Sequence, residues 1–322
     1  ADAHVQDGSL MTPVARPFAG QDDFDRTVAF YAAVQAADGG SGMTDDDITV
    51  EWIDDEPGWV RTLQVWDDDG AILANFGVWH ELEDAERAYS QFDIHPDART
   101  DAFADEVVGA MVAACGALTR TDVELRVNAM ATVPTCRGAL ERAGFTVERV
   151  FHRMMVRLYE PEPVAPLPSG FEIRPLSGEA EADRWVETYN RSFAGHHDAH
   201  DQSIEDKLNR MRLESYRPDI DLVLMDPAGE MVGVSQCFLE SVGGEEQQAI
   251  VNQLGVVPEM RGKGLGRALL TASLDAFHRI GVREVVLNVD SANETGALAL
   301  YESAGFEPVY QSMVYMRVVS PV

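Results

Sequence analysis

One pattern is written twice in this chain, and that repeat limits its architecture more than any other feature. Residues 123–145, VELRVNAMATVPTCRGALERAGF, and residues 285–306, VVLNVDSANETGALALYESAGF, share one order. Each runs as an alternating strand, a short polar connection, a helix of small and apolar residues, and then Ala-Gly-Phe. Each continues into a final strand, FHRMMVRL (151–158) and YQSMVYMRV (310–318). Between the copies, YEPEPVAPLPSG (159–170) holds four prolines, the composition of a semi-rigid linker. A length of 322 residues suits two domains of ordinary size, so the expected division is 1–162 and 163–322.

Hydrophobic periodicity sketches the same α/β order in both halves. In the first, a strand at 12–18 precedes a helix over 22–37 with Phe24, Val28, Tyr31 and Val34 at helical spacing. A hairpin follows, 59–80, turning at Asp69-Gly70, then a strand at 88–96 and a helix with Phe103, Val107, Met111 and Ala114 on one face. In the second, a strand at 171–176 leads to helices over 179–193 and 204–213. Then come a hairpin over 220–240 with Gly229 in its turn, and a strand over 247–257. A helix over 264–280 carries Leu270, Leu274 and Phe277 on one face and ends at Gly281. The expected fold is two domains, each a twisted mixed, mostly antiparallel sheet flanked by helices.

The strand-to-helix turn of the second half is the chemical focus. Gly262, Gly264 and Gly266 alternate with Lys263 and Leu265, between Arg261 and Arg267. Glycines let backbone N–H groups crowd round an anion, and the following helix aims its positive dipole end at the same place. The nucleotide P-loop is excluded, because Gly264 follows Lys263 where Ser or Thr is needed. The dinucleotide fingerprint is excluded too, because Arg267 stands at its third glycine.

Composition sharpens that focus. The chain carries 55 acids against 25 Lys and Arg, a net charge of -30, which disfavours nucleic acid as a partner. Only two lysines occur, Lys207 and Lys263, so a cluster of Arg261, Lys263 and Arg267 calls for an anion. No apolar run is long enough for a membrane span, and ADAHVQDGSL at the start lacks the regions of a secretion signal, so a cytoplasmic protein is expected. Three cysteines, Cys115, Cys136 and Cys237, have neither metal spacing nor a disulfide framework.

Arg261, Gly264 and Gly266, read as Arg-x-x-Gly-x-Gly after Val256-Val257-Pro258, resemble the acetyl-CoA pyrophosphate loop of the GNAT acyltransferase superfamily. NETGALALYESAGF resembles that family's Asn-spacer-Ala-x-x-Leu-Tyr-x-x-x-Gly-Phe signature. The resemblance spans both halves as tandem GNAT-like domains, and it implies acetyl transfer from acetyl-CoA to an amine by direct attack in a ternary complex. The acceptor is expected to be an amine of a small molecule or a peptide, with no metal, nucleic acid or membrane partner. Acidic surroundings would favour a cationic amine. A non-catalytic CoA-binding regulator is the alternative; it would keep Arg261 to Arg267 without needing Tyr301.

Roles follow from the match. Tyr301 corresponds to the tyrosine that protonates the departing thiolate, and its ordinary pKa of about 10 is near that of a thiol. Asn293 corresponds to a cofactor-contacting asparagine, or serves as a helix N-cap. Leu254, Gly255 and Val256 lie on the strand that lends backbone groups to pantetheine and the thioester carbonyl. The family's glutamate context reads Leu287-Asn288-Val289 here, so deprotonation would use water held by Gln253 and Asn288, or a carboxylate such as Asp290, or a neutral acceptor. His196, His197 and His200 beside Asp198 and Asp201 are read as an acceptor or solvated loop rather than a zinc site.

The first half has lost these features. Aligning Pro96 to Arg99 on Pro258 to Arg261 puts Thr100, Ala102 and Ala104 at the glycine positions, Asp101 at Lys263, and Leu140 at Tyr301. Residues 1–162 carry 12 bases and 31 acids, against 13 and 24 in the remainder. The first half is therefore expected not to bind CoA. Because the repeat does without the three glycines, their presence in the second half is assigned to a ligand rather than to the turn.

Overall fold

The structure, a computed structural model, describes residues 14–38, 52, 58–68, 70–82, 86–161, 163–194, 201–213, 215–242, 246–293 and 296–322. The chain folds into two compact units, Ala1–Phe151 with Tyr310–Val322, and His152–Val309. Both are mixed, mostly antiparallel sheets flanked by helices.

The first unit orders its sheet β1 (Val14–Pro17), β2 (Trp59–Asp68), β3 (Ala71–Glu81), β4 (Arg87–Ile94), β5 (Val123–Met130) and β12 (Glu307–Val319). Only β4 and β5 are parallel. Alternation, together with a register slip between β2 and β3 at Trp66/Asp67 that turns Ile72 over, sends Val65 and Ile72 to one face, against Phe30 and Tyr31 of α1 (Gln21–Asp38). Phe76, Leu125 and Val127 go to the other, against Val107, Val108 and Met111 of α2 (Asp101–Leu118). Leu140 of α3 (Pro134–Arg142) is sealed into that second core.

The second unit orders its sheet β6 (Thr146–Arg157), β11 (Glu284–Asp290), β10 (Glu246–Val256), β9 (Met231–Val242), β8 (Leu222–Met225) and β7 (Glu172–Pro175). One face meets α4 (Ala182–Phe193), whose Trp185, Val186 and Tyr189 pack on Val223 and Val234, and beyond it α5 (Ile204–Met211). The other face meets α6 (Leu265–Arg279) and α7 (Ala297–Ser303). There Leu270, Leu274 and Phe277 pack with Val285, Leu287 and Tyr301.

The units depart from a division at residue 162. The C-terminal strand completes the first unit, running antiparallel to β5 from Ser312↔Met130 to Val319↔Val123 and burying Tyr315 and Val319 in that core. The later part of β6 completes the second, with Met154 and Leu158 in its core and the Leu158 N–H on Arg283 O at 2.8 Å. The proline-rich stretch therefore lies inside the second unit. Ala165 N–H donates to the Thr271 hydroxyl at 2.9 Å, and Leu167 packs on the cluster containing Leu222, Val256 and Leu265. An alternating strand carries no mark of the sheet it joins, so a duplicated chain can complete either copy with it.

All three cysteines are free and buried, and burial pushes the thiols up, Cys115 to about 11 and Cys136 and Cys237 to about 12. Among the described residues no helix is long and apolar enough to cross a membrane.

Candidate active site

Strand β10 has two irregularities. Its register against β9 slips between Val251 and Gln253, which makes Asn252 a bulged residue. Its parallel register with β11 covers only Gln248↔Glu284 to Ile250↔Val286. From Val251 to Val256 the strand pairs with β9 alone, which leaves the other edge of its backbone free of β11. Leu254, Gly255 and Val256 lie in this stretch. At Gly255 the end of α4 comes so close that an added Cβ would stand 2.8 Å from the Phe193 ring and 2.9 Å from Ser192 Cβ. Glycine is needed there for packing alone.

Beyond the strand, a short 3-10 turn over Pro258–Met260 leads to the glycine turn. Gly262 and Gly264 have φ of 75° and 77°, a conformation that costs other L-residues about 1–2 kcal/mol. So the turn itself requires glycine at two of the three positions, contrary to the inference that only a ligand explains them. Gly266 is ordinary helical backbone, where an added Cβ would come no nearer than 3.8 Å to Leu300. Gly264 is the N-cap of α6 and supplies no side-chain bond, so the first N–H groups of that helix keep no cap partner. Arg261 to Gly264 are exposed, and Leu265 is buried as the anchor of the turn. An open helix N-terminus on a left-handed glycine turn fits a pyrophosphate.

The three cations are placed differently. Arg261 donates to Val256 O at 3.1 Å and to Ser192 O at 2.7 Å, stapling the turn to β10 and to the end of α4. Arg267 bonds the hydroxyl and carbonyl of Ser303 at 2.9 and 3.2 Å, which docks α7 beside the start of α6. Exposed Lys263 lies 3.2 Å from Met260 Sδ.

Tyr301, on α7, is 8% exposed and packs edge-on to Phe306 at 5.9 Å between centroids. Its cluster includes Leu254 from the free-edged part of β10. Its hydroxyl takes no hydrogen bond from or to a described residue. Burial, with the neighbouring Cys237 adding to it, pushes the phenol up to about 12. The group is thus held protonated, as a proton donor must be.

Gln253 and Asn288 lie on the opposite face of the sheet, because Leu287 and Val289 point at the α6 side and Gly255 points at α4. Asn288 is exposed and Gln253 half-buried. Gln236, in register with Gln253 and almost fully buried, joins them in a row of amides that the linear sequence does not single out. The signal that could have found it is a glutamine at an inward position of VGVSQCF. Asp290 is engaged locally, its side chain accepting from Ala292 N–H at 2.8 Å and its carbonyl from Asn293 N–H at 3.1 Å. Asn293 is half-buried and is not the cap of α7, which is Gly296 at φ 79°. His196, His197, Asp198 and His200 lie outside the described residues; Asp201 is exposed.

A strand that leaves its parallel neighbour, an uncapped glycine turn and a buried tyrosine meet in the second unit. Residues 182–306 match the Acetyltransferase (GNAT) family model. The chain is 32% identical over 256 residues to the mycothiol acetyltransferase of Acidothermus cellulolyticus, covering 76% of each protein. It is 30% identical over 263 residues to that of Thermobispora bispora, covering 81% of this chain and 85% of the relative. In fold it is similar to a GCN5-related N-acetyltransferase from Sphaerobacter thermophilus, with a TM-score of 0.74, 22% identity and 96% of each chain covered. A tandem GNAT protein from the clavulanic acid biosynthesis pathway gives a TM-score of 0.75 at 16% identity, covering 97% of this chain and all of that one. The chain belongs to the GNAT acetyltransferase family, as a tandem member. It is an acetyltransferase that takes acetyl-CoA as co-substrate and an amine as acceptor, and among its relatives it resembles mycothiol acetyltransferase.

Proposed function

We propose that the second unit is the active one and that acetyl transfer runs along the unpaired edge of β10. The observation that carries this reading is the continuity of three features: β10 loses β11 after Ile250, ends in an uncapped turn, and passes beside buried Tyr301. The N–H groups of Gly262 to Arg267 would hold the pyrophosphate, with Lys263 adding charge and Arg261 fixing the turn. The backbone of Leu254 to Val256 would bind pantetheine and polarise the thioester carbonyl.

An amine entering from the α4–α5 face attacks the carbonyl carbon, the C–S bond breaks, and the Tyr301 hydroxyl gives its proton to the sulfur. The proton released by the amine passes to water held by the amide row of Gln236, Gln253 and Asn288. No metal enters this scheme, and the setting proposed is the cytoplasm. Relatives named for mycothiol make a thiol-bearing amine the first acceptor to try. CoA release from acetyl-CoA, measured over a panel of amino-sugar thiols, aminoglycosides, polyamines and peptide N-termini, tests the reading. Activity is expected with a small amine, and a Tyr301→Phe enzyme as fast as wild type would remove the assigned acid.

A further inference from the structure

We propose that Arg210 reads the non-reacting end of the acceptor by holding a pair of adjacent oxygen atoms, those of a carboxylate or of a vicinal diol. This extends the acetyl-transfer geometry proposed above and rests on it. Arg210 is half-buried on α5, with its guanidinium over the Phe238 ring at 4.6 Å. That guanidinium makes no hydrogen bond or ion pair to a described residue. That is unusual here, since other arginines of this acidic chain hold carboxylates: Arg174 holds Glu181, Arg157 holds Glu284 and Arg217 holds Asp219.

Among the described residues, the carboxylates near Arg210 are already engaged. Asp221 is buried and takes Lys207 Nζ at 2.6 Å and the Tyr216 hydroxyl at 2.8 Å. Its other oxygen, Oδ1, is buried with no partner, so Arg210 does not reach it. Asp206 completes a capping box with Ser203. Lys207 and Asp221 bond each other, with Lys207 also 3.7 Å from the Trp185 ring centroid, and Arg210 feels Asp221 and Asp206 through space while its donors bond no described carboxylate. A guanidinium that has lost part of its hydration and keeps a planar fork of donors suits two oxygens held side by side.

The location matches an acceptor's far end. Phe238 is in register with Ile250, and Ile250 with Val286, which makes an apolar row across three strands on the face that carries α5. The amide row of Gln236, Gln253 and Asn288 follows on the same face. Phe238 and Gln236, the β9 partners of Ile250 and Gln253, are two residues apart, about 7 Å of strand. The guanidinium therefore stands about one small molecule's length from the point of amine attack. A purely cationic acceptor, which the net charge favours, is disfavoured at this position.

The test is steady-state kinetics of wild type, R210M and R210K on two matched pairs, an amine carboxylate with its amide and an aminopolyol with its deoxy analogue. For one pair, R210M should raise the acceptor KM about tenfold to a hundredfold for the oxygen-bearing member and leave the stripped member unmoved. R210K should recover part of the loss, and the pair that responds identifies the oxygens. CoA affinity by calorimetry should not change, whereas a merely structural role would lower it. Equal KM shifts for both members of both pairs, or weakened CoA binding, overturn the proposal. If R210M does not fold, wild type and R210K on the same pairs still decide. A wild type that binds CoA but acetylates no amine overturns the parent reading and takes this inference with it.

Discussion

The two strand–turn–helix segments, β4 to α2 and β10 to α6, began as one sequence and now differ in ways that separate scaffold from chemistry. Both keep a 3-10 turn, Pro96–Ala98 and Pro258–Met260, and both keep the arginine that follows it. Arg99 donates to Ile94 O at 3.0 Å as Arg261 does to Val256 O at 3.1 Å. Each then reaches the end of its unit's first α-helix, Arg99 to Asp38 and Arg261 to Ser192 O. The arginine is therefore scaffold in both. The next residues part company. Thr100 has extended backbone and caps the Phe103 N–H at 3.2 Å, and α2 begins at Asp101, the counterpart of Lys263. The copy thus makes a shorter turn with a side-chain cap, rather than the glycine turn with Cβ atoms added. Strand pairing differs in the same sense. β4 stays paired with β5 through Gln91↔Asn128 and shows no slip against β3, whereas β10 bulges and loses β11 after Ile250. A bulged strand and an open helix end occur together in one unit only.

The largest effect should come from closing the open turn. Gly264→Glu adds a left-handed strain and a negative charge at the helix N-terminus, so CoA binding by calorimetry should fall below detection. Ala102→Glu, exposed on α2, should leave it intact. The reverse result would put the cofactor in the wrong unit.

Next is the pair Tyr301 and Leu140. Tyr301→Phe should lower kcat by about 10²–10⁴-fold with little change in CoA affinity, the range for a lost general acid. Leu140→Tyr should add no activity and should cost about 1–3 kcal/mol by overpacking a side chain with no exposed surface, read as a lower melting temperature. Catalysis gained by Leu140→Tyr would mean that the first unit had kept more of its site than the comparison shows.

Smaller still, and equal in both units, should be the loss of the arginine staples. Arg99→Ala and Arg261→Ala each free main-chain acceptors, and each should destabilise its unit by about 1–3 kcal/mol in a denaturant melt. If Arg261→Ala instead abolished CoA binding while leaving stability unchanged, the arginine would be a phosphate ligand first and a staple second.

The sequence carried the element order, the duplication and the turn, because periodicity and glycine spacing are local. It singled out Tyr301 by its setting in NETGALALYESAGF, and the structure places that residue buried beside Leu254, where the acid role is a proposal. Strand exchange was hidden, since YQSMVYMRV alternates identically whichever sheet it enters. The glycine argument failed at Gly262 and Gly264 because it assumed that the copy kept the same backbone, when Thr100 had replaced the turn. Gln236 and Arg210 were missed because their roles depend on Gln253 and Phe238, partners brought together only by β9–β10 pairing and by the packing of α5.

Asp93 offers the finest probe of the contrast, because it stands where the second unit has Gly255. At Gly255 the strand edge is bare and α4 packs on it; at Asp93 a carboxyl occupies the equivalent place. Burial pushes that carboxyl up to about 7, with Asp38 adding to the rise, while a hydrogen bond from Gln91 at 3.4 Å and the charge of Arg99 oppose it. An unfolded aspartate titrates near about 4. Between those values the folded chain holds the extra proton, so the stability linked to Asp93 is fully present below about 4 and is lost as pH rises through about 7. Asp93→Asn removes that dependence and leaves every other titrating group in place. Melting temperatures should therefore fall further for wild type than for Asp93→Asn between pH 5 and pH 8, and the variant should be the more stable at pH 8. Parallel curves would mean that Asp93 is solvated rather than buried.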